Sequence, residues 1–426
     1  MFLAHRRYRG FTLVVTRTGM DEADFLDRMR RVAEAFRPAA PIDRRDLFAG
    51  RGEQIADLFS IVSQPGQHAI IYGERGVGKT SLGLVAAELL RAANVLSAWA
   101  TCDASDDFSS VWRKALGEIG VATSRQAIGF GQRVDETTEP LSRLLGPGPV
   151  TPHAVQGALQ QASRQRALAI FVDEFDRFQD RDGRVLFADT IKALSDRVVS
   201  STVVLIGVAD SVGELIREHR SVERALVQIQ MPRMSASELA EIATKGIAAA
   251  RMTIAGAAVA RIVALSQGLP HYTHLLTQLA AQAALGERRA HVGVRDVDAA
   301  VTRAIERAQQ SIVEAYREAV SGRPGTIYPQ VLLACALAEE DEFGFFASSD
   351  VREPLSRILD KPSKTSTFAR HLEELSSESR GAILQRSGGA GTARYRFVNP
   401  LLQPYVAMRG ISEGIVRASD LQPADR

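Results

Sequence analysis

Gly73-Glu74-Arg75-Gly76-Val77-Gly78-Lys79-Thr80-Ser81 fits the pattern G-x-x-x-x-G-K-[ST] and follows a short apolar run, His68-Ala69-Ile70-Ile71-Tyr72. A buried strand that opens into a glycine-rich loop and then a helix is the setting a phosphate-binding loop needs. The glycines let backbone N–H groups converge on phosphates, and the helix that follows turns the positive end of its dipole toward the anion. Lys79 supplies charge to the β- and γ-phosphates, and the Thr80 hydroxyl is suited to Mg²⁺. The motif assigns Gly73, Glu74, Arg75, Gly76, Val77, Gly78, Lys79, Thr80 and Ser81 to a bound nucleotide, with ATP and Mg²⁺ as the expected ligand and ion.

Working outward, 426 residues suggest two or three domains. A hydrophobic content of 45% and a charged content of 24% are those of an ordinary globular chain. A net charge of +2 excludes a globally basic nucleic-acid binder, so any such role must rest on local patches. Cys102 and Cys335 are far apart without metal-type spacing and read as buried thiols in a reducing compartment. No apolar run reaches the roughly 18 residues of a membrane span, and a cytoplasmic location without membrane contact is expected. Residues 1–19 hold four arginines around a patch too short for a signal peptide, and they are expected to be disordered, with Met20 as an alternative start.

Apolar runs at Val95–Ala100, Leu168–Val172, Thr202–Val208 and Leu226–Ile229 alternate with helical patterns. That alternation predicts an α/β fold with a parallel sheet covered on both faces. Residues 121–150 hold seven glycines and prolines and read as a loop or lightly structured insertion. From Ser235 the patterns are helical, ending in one long polar helix over Val294–Ala319. The expected divisions are an extension (1–44), a phosphate-loop core (45–234), a helical lid (235–320), a C-terminal winged helix (325–412) and a tail (413–426).

Ile170-Phe171-Val172-Asp173-Glu174 is a strand that delivers two carboxylates to the phosphate side of the sheet. Asp173 is suited to the Mg²⁺ site together with Thr80. Glu174 is suited to orient and deprotonate the attacking water. Asp210, at the tip of the next strand, either touches the γ-phosphate or lytic water or caps the following helix, and Ser211 is the alternative sensor.

These residues resemble the AAA+ ATPases, within them the clade of origin-recognition and STAND NTPases, over roughly residues 45–290. Phe48-x-Gly50-Arg51-x-Glu53 is similar to the F-x-G-R-x-x-E box of that clade, with Glu53 one position early. The resemblance implies that Phe48 and Arg51 lie by the adenine. Gly268-Leu269-Pro270 is similar to the G-x-P motif of STAND proteins, which places Pro270 and His271 at the base as well. In origin-recognition ATPases a sensor arginine follows this glycine; here His271 stands in that region. Arg220 and Arg224 precede the last strand, where initiator-type relatives keep an arginine finger, so Arg224 is either a finger that reaches a neighbouring copy or a solvated surface residue.

Beyond Gly325, three helical patterns precede Ala382–Arg386, a glycine tip at 388–391, and Arg394-Tyr395-Arg396-Phe397-Val398. Three helices and a β-hairpin make a winged helix, with Tyr395 and Phe397 facing in and the arginines out. Lys364, Thr367, Arg370, Arg386, Arg394 and Arg396 are candidate contacts to a DNA duplex. STAND relatives instead pack this domain on the nucleotide or on partners. The combined expectation is a slow or partner-stimulated ATPase that switches a DNA- or protein-bound assembly, alone or as a nucleotide-dependent homo-oligomer. The alternatives are a non-hydrolysing adaptor that signals to a separate effector protein, as in phage defence, and a transposition-helper ATPase.

Overall fold

The computed structural model describes residues 20–42, 47–126, 134–164, 166–208, 222–322, 325–341, 343–389 and 392–417. The expectations for residues 1–19, Asp210, Ser211 and Arg220 fall outside them. The strands of the first half are β1 (His68–Gly73), β2 (Leu96–Thr101), β3 (Gly120–Gln126), β4 (Val134–Pro140), β5 (Leu168–Asp173), β6 (Ser201–Gly207) and β7 (Leu226–Met231). Five of them form one parallel sheet in the order β2-β5-β6-β1-β7.

Side chains along a strand alternate between the two faces of its sheet. Here Ile71, Phe171, Val204 and Ile206 enter one core with the helix Lys79–Ala92. Ile70, Ile170, Val172, Val203 and Leu205 enter the other, with the helices Phe108–Gly117, Pro152–Ala162 and Arg181–Asp196. Every residue of β5 and β6 is buried, which accounts for the apolar runs Leu168–Val172 and Val203–Ile206. Gly83 lets the helix after the phosphate loop come close to the sheet, since a Cβ there would stand 2.7 Å from Ile206 Cδ1.

Two expectations need correction. Residues 121–150 are not simply a loop: β3 and β4 pair antiparallel from Gly120–Pro140 to Gln126–Val134, and a 3-10 turn, Leu141–Leu145, buries both of its end leucines. The strands are rich in Val and Thr but otherwise polar, so apolar periodicity does not reveal them. The long helix over Val294–Ala319 is two helices, Val294–Glu306 and Gln310–Val320, broken at Arg307–Gln309. The first buries Val297, Ala300 and Val301 in the core shared with the sheet, the second buries Ile312, Tyr316 and Ala319 in the C-terminal core, and the break re-aims the chain between them.

Ser235 caps the helix Ala236–Ala249 in a reciprocal box with Glu238. That helix, Gly256–Ser266, Pro270–Gly286 and Val294–Glu306 form a helical unit in the region expected to be the lid, and that label is kept for it. The C-terminal unit holds helices Tyr328–Ala336, Ser348–Ile358 and Thr365–Leu375. Its three-stranded antiparallel sheet places Arg394–Phe397 between Phe346–Ala347 and Leu384–Ser387. Tyr395 and Phe397 are buried. The last helix, Leu402–Ser412, sends Ala407 and Met408 into the lid core and Tyr405 and Val406 into the C-terminal core. Both cysteines are free and buried. Among the described residues no helix is long and apolar enough to cross a membrane.

Phe171, fully buried, stacks at 5.4 Å on Trp99, its neighbour across the β2–β5 pairing, on the face covered by the helix Lys79–Ala92. Phe171→Ala is expected to cost about 3–5 kcal/mol. Leu26→Ala, at a side chain 57% exposed, should cost less than about 0.5 kcal/mol. Urea unfolding of the two variants measures both.

Candidate functional site

Ligands of open parallel sheets bind beyond the carboxyl ends of the strands, where the strand order reverses. β1 sits at that reversal, and residues 73–79 turn from it into the helix Lys79–Ala92. Gly76 and Gly78 have φ of 90° and 95°, conformations that side chains with a Cβ resist. No side chain caps the helix, so its first N–H groups are left for a ligand. Gly73 lies against Met231, where a Cβ would collide with the neighbouring carbonyl.

The Lys79 ammonium lies inside the loop and donates to the carbonyls of Gly73 at 3.0 Å and Glu74 at 2.7 Å. Burial lowers its pKa to about 8, against the pull of Asp176, Asp173 and Glu74. Asp173, 4% exposed at the end of β5, accepts from the Thr80 hydroxyl and, at 2.9 Å, from the backbone N–H of Glu174. Burial raises its pKa, and these bonds and Lys79 oppose the rise. Two hard oxygen donors side by side fit Mg²⁺. Among the described residues no three His, Cys, Asp or Glu side chains gather as a metal site, so an ion here would share phosphate oxygens, as Mg²⁺ commonly does.

Glu174 adopts a left-handed backbone, φ 53°, an uncommon conformation for a side chain with a Cβ. Its half-exposed carboxylate accepts from Arg177 Nη1 at 2.8 Å. The candidate base is thus next to the metal-type pair but held by a cation. Arg224 is exposed in the turn before β7 and lines neither cavity described here.

The loop, Asp173 and Glu174 border a cavity of about 890 Å³, ample for a nucleoside triphosphate. Phe48, Arg51, Pro270 and His271 line it too. Arg51 is 4% exposed, and its Nη2 donates to the Pro232 carbonyl at 2.6 Å, so its guanidinium ties the segment to the core–lid junction. Ser81 and Gly78 face other walls of the same space: a Cβ at Gly78 would lie 3.9 Å from Pro270, and Ser81 Oγ accepts from Ile42 N at 3.0 Å. His271 Nδ1 donates to the Pro38 carbonyl at 2.8 Å, and burial lowers its pKa.

Several lining residues carry no signal in the sequence. Pro38–Ile42 form a wall, held by His271 and Ser81. His274 lies behind it, edge-on to Phe36 at 5.9 Å, with its pKa lowered by burial to about 4. Arg307, at the helix break, and Leu401, from the C-terminal unit, complete the lining. The two prolines 38 and 41 were readable as helix breakers; what they face was not.

The C-terminal unit sits on the phosphate loop. A Cβ at Gly76 would lie 3.3 Å from Leu401, and Tyr272 Oη donates to the Leu401 carbonyl at 2.7 Å. Arg233, on the strand-to-lid connection, reaches Glu74 at 2.7 Å, Glu340 at 2.8 Å and Gln403 Oε1 at 2.7 Å. Of the candidate DNA contacts, Lys364, Thr367 and Arg386 are exposed, and Arg370 is exposed but paired with Glu374 at 2.7 Å. Arg394 pairs with Asp341 at 2.8 Å, and Arg396 Nε donates to Gln385 at 2.6 Å.

A lysine near its titration point binds an anion more tightly once protonated. Nucleotide binding at pH 8.5 is therefore expected to take up protons, and affinity to fall as pH rises through about 8. Calorimetry in two buffers of different ionisation enthalpy checks this; no buffer dependence would contradict it.

The family profile described as Novel STAND NTPase 1 matches residues 35–333. No curated protein sequence matches the chain. Among solved structures, a Walker-type ATPase of Pyrococcus abyssi is similar at 14% identity and a TM-score of 0.50, covering 86% of this chain and 98% of that one. Cdc6p from Pyrobaculum aerophilum is similar at 14% identity and a TM-score of 0.44, covering 90% and 99%. Aeropyrum pernix ORC1, solved in complex with DNA, is similar at 16% identity and a TM-score of 0.42, covering 87% and 94%. The profile match spans well over half of the chain, which belongs to the novel STAND NTPase 1 family, with the P-loop AAA+ type of fold.

Proposed function

We propose that this novel STAND NTPase 1 protein binds and slowly hydrolyses ATP, and that the nucleotide sets the position of its C-terminal unit on the phosphate loop. The Arg233 joint is the observation that carries the switch reading. One guanidinium holds Glu74 of the phosphate loop and Glu340 and Gln403 of the C-terminal unit together. For Lys79 to meet phosphate it must leave the Gly73 and Glu74 carbonyls, and Glu74 belongs to that joint. A change at the phosphates thereby acts on the contact that docks the C-terminal unit.

Lys79 and the helix N-terminus hold the phosphates. Thr80 and Asp173 would hold Mg²⁺, which supplies charge neutralisation at the phosphates when bound. Glu174 accepts the proton of the attacking water once Arg177 gives way. The Glu174–Arg177 pair supports slow or partner-stimulated turnover, because the base starts in a competing ion pair. The partner is a DNA duplex or a protein. Lys364, Thr367 and Arg386 are exposed for the former, while Arg224 is exposed for a second copy of the chain.

Lys79→Ala should abolish nucleotide binding. Glu174→Gln should keep binding and stop turnover; undiminished phosphate release from it would refute the assigned base. Limited proteolysis of the unaltered protein should give different cleavage patterns with ADP and with a non-hydrolysable ATP analogue. Arg233→Ala, which leaves two buried carboxylates without their cation, should cost about 3–5 kcal/mol and remove that difference. Identical patterns at saturating ADP and analogue in the unaltered protein would overturn the switch.

A further inference from the structure

Arg177 belongs to no motif in the sequence. It lines the nucleotide cavity with Lys79, Thr80, Asp173 and Glu174, and does not line the smaller cavity, of about 340 Å³, between the phosphate loop and the strand Arg394–Phe397. Its backbone is held in place. It ends the 3-10 turn Phe175–Arg177, its N–H donates to the Glu174 carbonyl at 2.8 Å, and the buried rings of Phe175 and Phe178 stack on either side of it at 5.7 Å. Its side chain is held much less. It is 57% exposed and meets the Glu174 carboxylate at 2.8 Å. An exposed ion pair of this kind is weak.

The turn stands at the phosphate end of the cavity. Glu174 follows Asp173, which accepts from the Thr80 hydroxyl, and Asp176 and Asp173 both act on the Lys79 ammonium. Lys79 of a phosphate loop serves the β- and γ-phosphates. A cation 2.8 Å from the candidate base is therefore beside the water that this base would activate and the phosphorus that the water attacks. Arg51, which also lines the cavity, is committed to the Pro232 carbonyl, and Arg224 does not line it.

We propose that Arg177 is a catalytic residue of ATP hydrolysis: in the triphosphate complex its guanidinium leaves Glu174 for the γ-phosphate oxygens, so that one movement frees the base and supplies a cation to the transition state from within the same chain; this rests on the ATPase reading above. Charge and shape favour the exchange. Glu174 offers Arg177 one negative charge, a triphosphate offers several, and the planar fork of a guanidinium matches phosphate oxygens. Asp103 and Asp176 lie near enough to favour the charged form of Arg177. In the step itself the water oxygen bonds to the γ-phosphorus as the bond from that phosphorus to the β,γ-bridging oxygen breaks, its electron pair staying on the ADP oxygen. The water proton passes to the Glu174 carboxylate. The negative charge spread over the three γ-oxygens falls beside Arg177 and Lys79. With ADP the pull on Arg177 is smaller, and it returns to Glu174, so the base is closed in the product state. Turnover then needs no arginine from a second copy.

The test compares the full chain with Arg177→Ala and Arg177→Lys, with Mg²⁺, in two readouts: steady-state phosphate release, and binding of ADP with and without aluminium fluoride, a mimic of the phosphoryl group in transfer. Arg177→Ala should lower kcat about 10³-fold, the low end of the range for an arginine that stabilises this transition state, and leave the affinity for ADP alone within about twofold. It should also remove the extra affinity that aluminium fluoride gives. Arg177→Lys should fall between, since a point charge keeps the attraction but not the fork. Thermal unfolding without nucleotide confirms that the variants fold. A folded Arg177→Ala protein that turns over as fast as the unaltered one, or faster, overturns the proposal, and faster turnover leaves Arg177 only as a restraint on Glu174. Turnover per chain should stay constant on dilution to monomer; its loss there, with binding of the mimic intact in Arg177→Ala, assigns the cation to a second copy and overturns the proposal too. If the unaltered protein releases no phosphate, the ATPase reading itself fails, and this inference with it.

Discussion

Arg233 lies between the carboxylates of Glu74, at 2.7 Å, and Glu340, at 2.8 Å, with its side chain only 14% exposed. Burying three charges is costly, and in a low-dielectric interior their attraction repays that cost only in good geometry. The geometry here is close. The same guanidinium also donates to Gln403, and Gln403 and Gln267 both donate to the Ala336 carbonyl. Gly268 has no Cβ where one would stand 2.6 Å from Arg233, so the lid turn fits beside it. The arrangement fixes phosphate loop, lid and C-terminal unit to one another at one buried point. Hydrophobic contacts at Leu401, Ala407 and Met408 add area to the joint but not direction.

The nucleotide site depends on this joint because its walls come from all parts of the chain. Lys79 and the uncapped helix N-terminus follow from local sequence. The remainder of the enclosure is assembled by Pro38–Ile42, the Pro270 turn, the break at Arg307 and Leu401. Within it, burial lowers the charge stability of Lys79 and raises that of the protonated Asp173, the two directions expected when water is removed from a cation and an anion. Phosphate and Mg²⁺ would each relieve one of those penalties.

Much of the architecture was legible because burial leaves a pattern. β5 and β6 carry the apolar runs Leu168–Val172 and Val203–Ile206 since both faces are covered, and the phosphate loop announces itself through glycines that must take positive φ. The hairpin β3–β4 was not legible, since its two strands carry no apolar alternation in the sequence. The break at Arg307–Gln309 was hidden for a related reason: both flanking helices are amphipathic, and only the position of two different cores says that they cannot be one.

The sequence by itself determined the phosphate loop, the Asp173–Glu174 pair and the alternation that builds a parallel sheet, because each is written in contiguous residues whose local geometry follows from their chemistry. Tertiary structure alone decided that Glu174 starts in an ion pair with Arg177, that His271 is turned to Pro38, and that Arg233 joins Glu74 to Glu340. A charged side chain reads the same in sequence whether it meets solvent, a nucleic acid or a carboxylate, and its partner is chosen by elements as much as 170 residues away.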